Sequence, residues 1–395
     1  MNLIERGGEK FNITLLALFL GSFVTFADLY STQPVIPLIT EQFQVTPAVA
    51  SLSLSFSTGT MAIGLVVVSL FTNGFNKKKV MGISLTLSAI LSLAVGLVES
   101  MPLLLVLRAL QGAAMAGFPA IAMAYITEEF HPKSLGYVMG IYVAGNSLGG
   151  LAGRMIVGTM SEYISWTIAI ALLGLLSLVI SILFWWMLPD STINQPRSPF
   201  SIKGTFKSLI HCLIQKDLFI LYILAFVMMG SFVSIYNYIG IPLMKPPYNL
   251  SQVVISFIFV VYLVGTFSSA WMGQLADRLQ RKWVMLVGVV LTLVGALLTL
   301  LPFLIPKIVG LIILTFGFFG AHSIASSWVG ILAHKNEKAY ATSLYLFAYY
   351  AGSSVIGALG GVFFHRSGWF GEVSMVTFLL SMGIIAVLTI KNKEN

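Results

Sequence analysis

Twelve apolar runs, each close to the roughly 20 residues a helix needs to cross a hydrocarbon core, leave this chain few folds to choose from. Cut at charged or Pro/Gly-rich breaks, they span roughly 12–36, 48–72, 80–98, 102–126, 135–159, 164–188, 218–242, 251–275, 283–303, 307–333, 339–364 and 369–390. Hydrophobic residues make up 57% of the 395 positions and charged residues only 9%, against about a quarter charged in a soluble domain. The expected fold is therefore an all-α, multi-pass membrane protein with the lipid bilayer as its first partner. The N-terminal apolar stretch is too long for a cleaved signal peptide and is expected to be retained. A net charge of +8 does not point to nucleic acid, because the basic residues sit in short clusters between apolar runs, where they orient helices.

The runs fall into two related halves. SLFTNGFNKKKVM at 69–81 returns 204 positions later as GQLADRLQRKWVM at 273–285, each joining two apolar runs and ending in a basic cluster followed by Val-Met. The hinge residues are Asn73, Lys77 and Lys78 in the first copy, and Gly273, Asp277, Arg278, Arg281 and Lys282 in the second. An internal repeat of this length predicts two six-helix bundles, 1–188 and 218–395, joined by a polar linker at 189–217. Within the linker, GTFKSLIHCLI reads as a helix lying on the membrane surface. The basic residues orient the array. Alternate loops and the linker collect Lys77 to Lys79, Lys133, Arg197, Lys203, Lys207, Arg278, Arg281 and Lys282, whereas the other side holds only Lys245, Lys307 and Arg366. Both termini and the linker are accordingly expected in the cytoplasm, with the protein in the cell membrane.

Polar groups concentrate in particular spans. The third, sixth, ninth and twelfth are nearly blank, their middles holding aliphatic residues, glycine and a few hydroxyls, so they are expected at the periphery of eight spans that line a polar path. In the first span, Gly21, Thr25, Asp28 and Thr32 form a small polar stripe at helical spacing. Of the 14 acidic residues, the other 13 are assigned to loops, termini or interfaces, which makes Asp28 the one carboxylate within the hydrocarbon region. Such a group marks an ion or substrate path, since an intramembrane charge is costly without a purpose. Arg108 and Gln111 share a face of the fourth span at comparable depth, where Arg108 either forms a salt bridge with Asp28 or locks the bundle through neighbouring carbonyls. Gly145, Gly149 and Gly153 form a ridge in the fifth span that allows close helix approach, and Gly352 and Gly357 repeat it in the eleventh. Arg154 could pair with Glu162. Candidate cavity residues are Gln111, Asn146, Asn237, Tyr238, His322, Ser326, Tyr345 and Tyr349, because aromatic rings with a few polar tips suit amphipathic molecules. The competing reading for the tyrosines is interface anchoring.

The second hinge, Gly-x-Leu-Ala-Asp-Arg-x-x-Arg-Lys, resembles the loop between the second and third helices of each half in the major facilitator superfamily. LRALQG resembles the Arg-x-x-Gln-Gly pattern of its proton-coupled members, in which the arginine is placed beside the proton route. GNSLGGLAG resembles the glycine-rich signature of its antiporters, with Asn146 where that signature has Pro. Together with ASSW and SLYLFAYYAGSS, these motifs make nearly the whole chain resemble the acriflavine-sensitivity, YnfM-like branch. In the first hinge Asn73 stands where the family has aspartate, and Asn76 where it has its second glycine.

The resemblance implies a monomeric secondary active transporter working by alternating access, with proton-coupled efflux of a small amphipathic organic compound and Asp28 and Arg108 as the coupling pair. Uptake or exchange of a polar or anionic metabolite such as a sugar is the alternative within transport. An intramembrane enzyme is the alternative outside it, but no His-Glu-x-x-His, Gly-x-Ser-x-Gly or paired intramembrane aspartates occur. No cofactor or metal is expected. One cysteine and five scattered histidines supply no ligand spacing, and ion gradients are left as the energy source.

Overall fold

The computed structural model describes residues 3–6, 8–71, 76–190, 202–334 and 337–390. Among the described residues, ten helical stretches are long and apolar enough to cross a bilayer: Lys10–Phe43, Pro47–Val68, Lys77–Val95, Met101–Glu129, Trp166–Met187, Lys216–Leu243, Gln252–Arg278, Arg281–Leu298, Leu304–Leu332 and Lys338–Leu388. The last is two helices joined at Ser367 and Gly368, where Gly368 turns the chain with φ 59° and ψ −151°, a conformation that essentially only glycine adopts without strain. Leu135–Met160 completes the set of twelve; it is 26 residues long, but its glycines and Arg154 dilute its hydropathy. In chain order these are the first to twelfth spans. The first outruns its expected end at 36. A helix over Glu9–Tyr30 passes through a 3₁₀ turn at Gln33–Val35 into Ile36–Phe43, because Pro34 and Pro37 supply no N–H to a regular ladder.

Contacts divide the chain into two compact units, one of residues 1–35 and 56–200, the other of residues 36–55 and 201–395. In lipid, helices gain nothing from hiding apolar surface from water, so close packing and internal hydrogen bonds must hold them. In the first unit the fifth span lies on the first through the glycine ridge. A Cβ on Gly145, Gly149 or Gly153 would fall 2.7, 2.0 or 2.4 Å from the carbonyl oxygens of Phe19, Phe23 and Ala27. Phe118 packs edge-on against Phe184 at 5.8 Å, and Ile4 pairs with Glu129 and His131 of the main chain, tying the N-terminal segment to the end of the fourth span. The second unit repeats the helix pairing. The eleventh span lies on the seventh, with a Cβ on Gly352 falling 2.0 Å from the carbonyl oxygen of Phe226. Ile168, Leu172, Leu175, Val179 and Ile182 leave one face of the sixth span exposed and apolar, as a lipid-facing helix requires.

Part of the linker, 191–201, lies outside the described residues. Its remainder is a helix, Ile202–Ile214, that turns Cys212 fully inward and pairs His211 Nδ1 with Glu337 Oε2 at 2.8 Å. Burial pushes the Cys212 thiol above its usual range, with the Glu337 carboxylate adding to the shift. Little reactive thiolate is therefore present at neutral pH, and native Cys212 should label slowly and faster only as pH rises. Topology is better read from Lys207→Cys in a Cys212→Ala background, since Lys207 is exposed. An impermeant maleimide should reach that cysteine only in opened membranes. Labelling in intact cells would place the linker outside.

Candidate functional site

Asp28 is fully buried in the first unit. Two hydroxyls of the third span approach its carboxylate, Ser92 Oγ at 3.4 Å from Oδ1 and Ser88 Oγ at 3.5 Å from Oδ2, and Ser177 of the sixth span is a third hydroxyl beside it. Both contacts are at the long limit for an O–H donor, so the carboxylate is loosely solvated by serines and enclosed by apolar helix surface. The third span is thus not blank where it matters. Its serines turn inward, which its mean hydropathy conceals.

Arg108, also fully buried, sends its guanidinium to the main chain of the first span. Nη1 donates to the Asp28 carbonyl at 3.1 Å and Nη2 to the Leu29 carbonyl at 2.6 Å, while Nη1 also donates to Gln111 Oε1. Gln111 in turn donates to the Ser88 carbonyl at 3.3 Å. The fourth span's own carbonyls are held from the other side, Ser57 Oγ donating to the Arg108 carbonyl at 2.8 Å and Thr60 Oγ1 to that of Ala109 at 2.7 Å. Asp28, Arg108, Gln111 and Ser88 therefore form one connected cluster, with the arginine bracing the peptide that carries the aspartate.

Arg154 takes a different partner from the one its sequence neighbours suggest. Nε donates to Gln33 Oε1 at 2.6 Å and Nη1 to the Gly150 carbonyl at 2.5 Å, and the guanidinium lies 4.0 Å from the Tyr30 ring centroid. Glu162 lies exposed in the following turn. The 3₁₀ turn of the first span presents Gln33 and Tyr30 together, and a stacked, hydrogen-bonded arginine loses less solvation than one drawn to an exposed carboxylate. Asn146 lies half-buried on the same span, one turn beyond the buried Tyr142.

The second unit brings the aromatic candidates together. His322 Nδ1 lies 2.9 Å from Tyr345 Oη, and its ring sits 4.5 Å from that of Tyr349 and 5.9 Å from that of Phe318. These groups, with Leu224, Ala225 and Met228, line a cavity of about 10 Å³, room for one water and far short of an organic ligand. Adjoining it is a group the sequence reading did not single out: Phe232 stacks on Phe318 at 4.0 Å, and Tyr236, Tyr262 and Phe319 pack around Phe232. The run Phe318-Phe319 one turn before His322 was the available signal. Tyr238 stands apart from this cluster, with its single O–H shared between the Gly357 carbonyl at 2.7 Å and Ser51 Oγ at 2.6 Å. Asn237 is buried against Gly357. Ser326 donates to the Ser323 carbonyl of its own helix at 3.0 Å. Two larger clefts, about 400 and 540 Å³, have apolar walls such as Trp271, Trp283 and Phe316 in one and Phe226, Phe363 and Phe378 in the other, which suits lipid chains.

At the hinges, Asn73 falls outside the described residues. Lys77 forms an ion pair with Glu128, Lys78 is half-buried, and Asn76 caps the third span by accepting from the Lys79 N–H at 3.0 Å. In the second hinge, Asp277 accepts from Arg281 Nη2 at 3.0 Å, one helical turn on. Lys282 Nζ donates to the carbonyls of Leu388 and Ile390 at 2.9 Å each, Arg278 is exposed, and Gly273 is half-buried.

One expectation fails outright. Asp28 is not the only carboxylate within the spans, because Glu372, near the start of the twelfth, is fully buried. A residue so close to a hairpin reads as interfacial by position, and only packing against the seventh and eleventh spans seals it from water.

The folded chain is similar to solved transporters. It matches a bacterial homologue of the human lysosomal transporter Spinster, in its inward-facing unoccupied form, with TM-score 0.76 and 16% identity, covering 97% of this chain and 95% of that one. It matches the nucleoside transporter NupG with TM-score 0.77 and 14% identity, covering 95% and 99%. At the sequence level it is 43% identical to the uncharacterized MFS-type transporter YybF of Bacillus subtilis over 97% of this chain and 95% of that protein. It is 40% identical to the inner membrane transport protein YnfM of Escherichia coli over 97% and 91%. A family profile described as the Major Facilitator Superfamily matches residues 18–358 and 218–394. Repeated hinges, twelve spans and paired glycine ridges all lead where these similarities lead: the chain is a transporter, not an enzyme, and belongs to the Major Facilitator Superfamily.

Proposed function

We propose that this secondary transporter exports a small amphipathic organic compound in exchange for protons, with Asp28 as the proton carrier. The observation that carries the reading is the enclosure of the Asp28 carboxylate by long serine contacts, while Arg108 spends its donors on the carbonyls of Asp28 and Leu29. A carboxylate so placed is poorly compensated as an anion, and a proton is the smallest ligand that relieves it. Arg108 in this reading holds the aspartate-bearing peptide in place and adds a positive field beside it. The His322, Tyr345 and Tyr349 wall would receive the substrate's apolar body once the closed cavity opens. An anionic substrate is disfavoured because Arg154, the other buried arginine on this side of the repeat, is already engaged with Gln33 and Tyr30. The inner membrane, with both termini and the linker in the cytoplasm, is the placement the basic residues support.

The test uses proteoliposomes and a permanently charged aromatic cation dye, which cannot follow a pH gradient as a weak base would. An imposed pH gradient should drive the dye against its own gradient, and a protonophore should abolish the accumulation. Accumulation indifferent to the protonophore would refute coupling to protons.

A further inference from the structure

Glu372 is a buried titratable group that the coupling mechanism above does not use. It lies one turn past the hairpin at Gly368, in the second unit. Neither of its carboxylate oxygens, nor Ser234 Oγ on the seventh span, makes a hydrogen bond of ordinary geometry among the described residues, and Ser234 is the one side-chain hydroxyl close enough to act on the carboxyl. A Cβ placed on Gly360 of the eleventh span would fall 1.9 Å from Ser234 Oγ, and 2.5 and 3.0 Å from Glu372 Oε2 and Oε1. The hydroxyl and the carboxyl therefore face one small space, kept open by the side chain that Gly360 lacks.

The charged groups of the surrounding elements are occupied elsewhere. On the seventh span, Tyr238 is the titratable group near enough to interact with Glu372, and its hydroxyl is spent on Ser51 and Gly357. Lys216 and Asp217 lie at the far end of that span, about 25 Å away at 1.5 Å per residue. On the tenth span, Lys307 donates to the Thr299 carbonyl and lies over the rings of Tyr248 and Trp369. Lys282 of the ninth span caps the last carbonyls of the twelfth. His365 and Arg366 of the hairpin and Glu41 are exposed. A bare carboxylate in this position would be a buried charge with no cation and only one hydroxyl beside it, which is costly. A metal cation would need about six oxygen ligands, and one carboxylate with one hydroxyl falls well short.

We propose that Glu372 is a second proton-binding site, separate from Asp28 and confined to the second unit. Its carboxyl is neutral while the seventh, eleventh and twelfth spans are packed as described. It releases the proton when those spans part and water reaches it. Closing the spans again requires the proton back, so protonation at this point favours the packed arrangement. This site does not rest on the coupling role of Asp28, because its test counts protons held by the folded protein and needs no substrate.

The experiment uses the full chain in lipid nanodiscs. Infrared spectra of the wild type at neutral pH should contain a protonated-carboxyl band that Glu372→Gln removes and Asp28→Asn leaves in place. Thermal stability supplies a second readout. A folded state that holds a proton the unfolded chain gives up becomes less stable as pH rises, and Glu372→Gln should flatten that decline. Ser234→Ala, which keeps the carboxyl but removes its neighbour, should retain the band at a shifted position. A band untouched by Glu372→Gln overturns the proposal. So does a sodium-dependent stabilisation at fixed pH that this variant abolishes, which would reveal a cation site. Failure of Glu372→Gln to fold would also overturn it, since glutamine matches the neutral acid in size and hydrogen bonding.

Discussion

Asp28→Asn leaves a protein that still exchanges substrate across the membrane but no longer accumulates it in response to a pH gradient. Asparagine has the volume of the neutral acid and can keep both long serine contacts, its Oδ1 accepting from one hydroxyl and its Nδ2 donating to the other, so the packing of the first span on the third should survive. What it cannot do is gain or lose a proton. In the wild type the charged form must find compensation before the helices can close around it, and the neutral form closes freely; that difference is what would tie the conformational cycle to the proton gradient. In the variant the carrier is always effectively neutral, and both conformers interconvert with or without protons. Gradient-driven uptake into inverted vesicles should fall to the level of protein-free liposomes, with exchange of labelled for unlabelled substrate retained. Full gradient-driven transport by Asp28→Asn would reduce Asp28 to a structural residue that merely offers its carbonyl to Arg108.

The second large effect is on assembly. Gly149→Val should prevent the first unit from packing, because the new Cβ would fall 2.0 Å from the Phe23 carbonyl oxygen and 2.7 Å from its Cα. A crowded side chain can rotate away, and overpacking then costs about 1–3 kcal/mol. A carbonyl locked in a helical ladder cannot, so the whole first span must shift and carry Asp28 with it. The expected cost is about 3 kcal/mol or more, seen as a large drop in melting temperature and folded yield in detergent. Gly352→Val should do the same in the second unit, where the Phe226 carbonyl oxygen also lies 2.0 Å from the added atom. Gly330→Ala is the control: nothing lies within 4 Å of its added Cβ, and the better helix former should leave stability unchanged or raise it by up to about 1 kcal/mol. If Gly149→Val melted with the wild type, the ridge would not be a packing surface.

The sequence by itself determined the number of spans, the two-fold repeat and the family, because each is written in local signals. Apolar run length is set by bilayer thickness, and the hinge motif lies within a dozen residues, so neither needs a distant partner to be read. The Gly-x-x-x-Gly spacing likewise marks the helix face where another main chain can come close. Tertiary structure alone decided which groups meet. Asp28 finds two of its hydroxyls 60 and 64 positions away, in a span with only a few hydroxyls, and a third at Ser177 of the sixth span. Arg108 reaches carbonyls 80 and 79 positions back, which no side-chain pattern announces, since every residue has a carbonyl. Arg154 passes over a carboxylate eight positions on for a glutamine 121 positions back, and Cys212 turns inward on a helix that composition alone would lay on the surface. Glu372 is the sharpest case. Its distance along the chain from a hairpin suggests water, yet the seventh and eleventh spans close over it, and burial of a carboxyl depends on what packs against it in three dimensions.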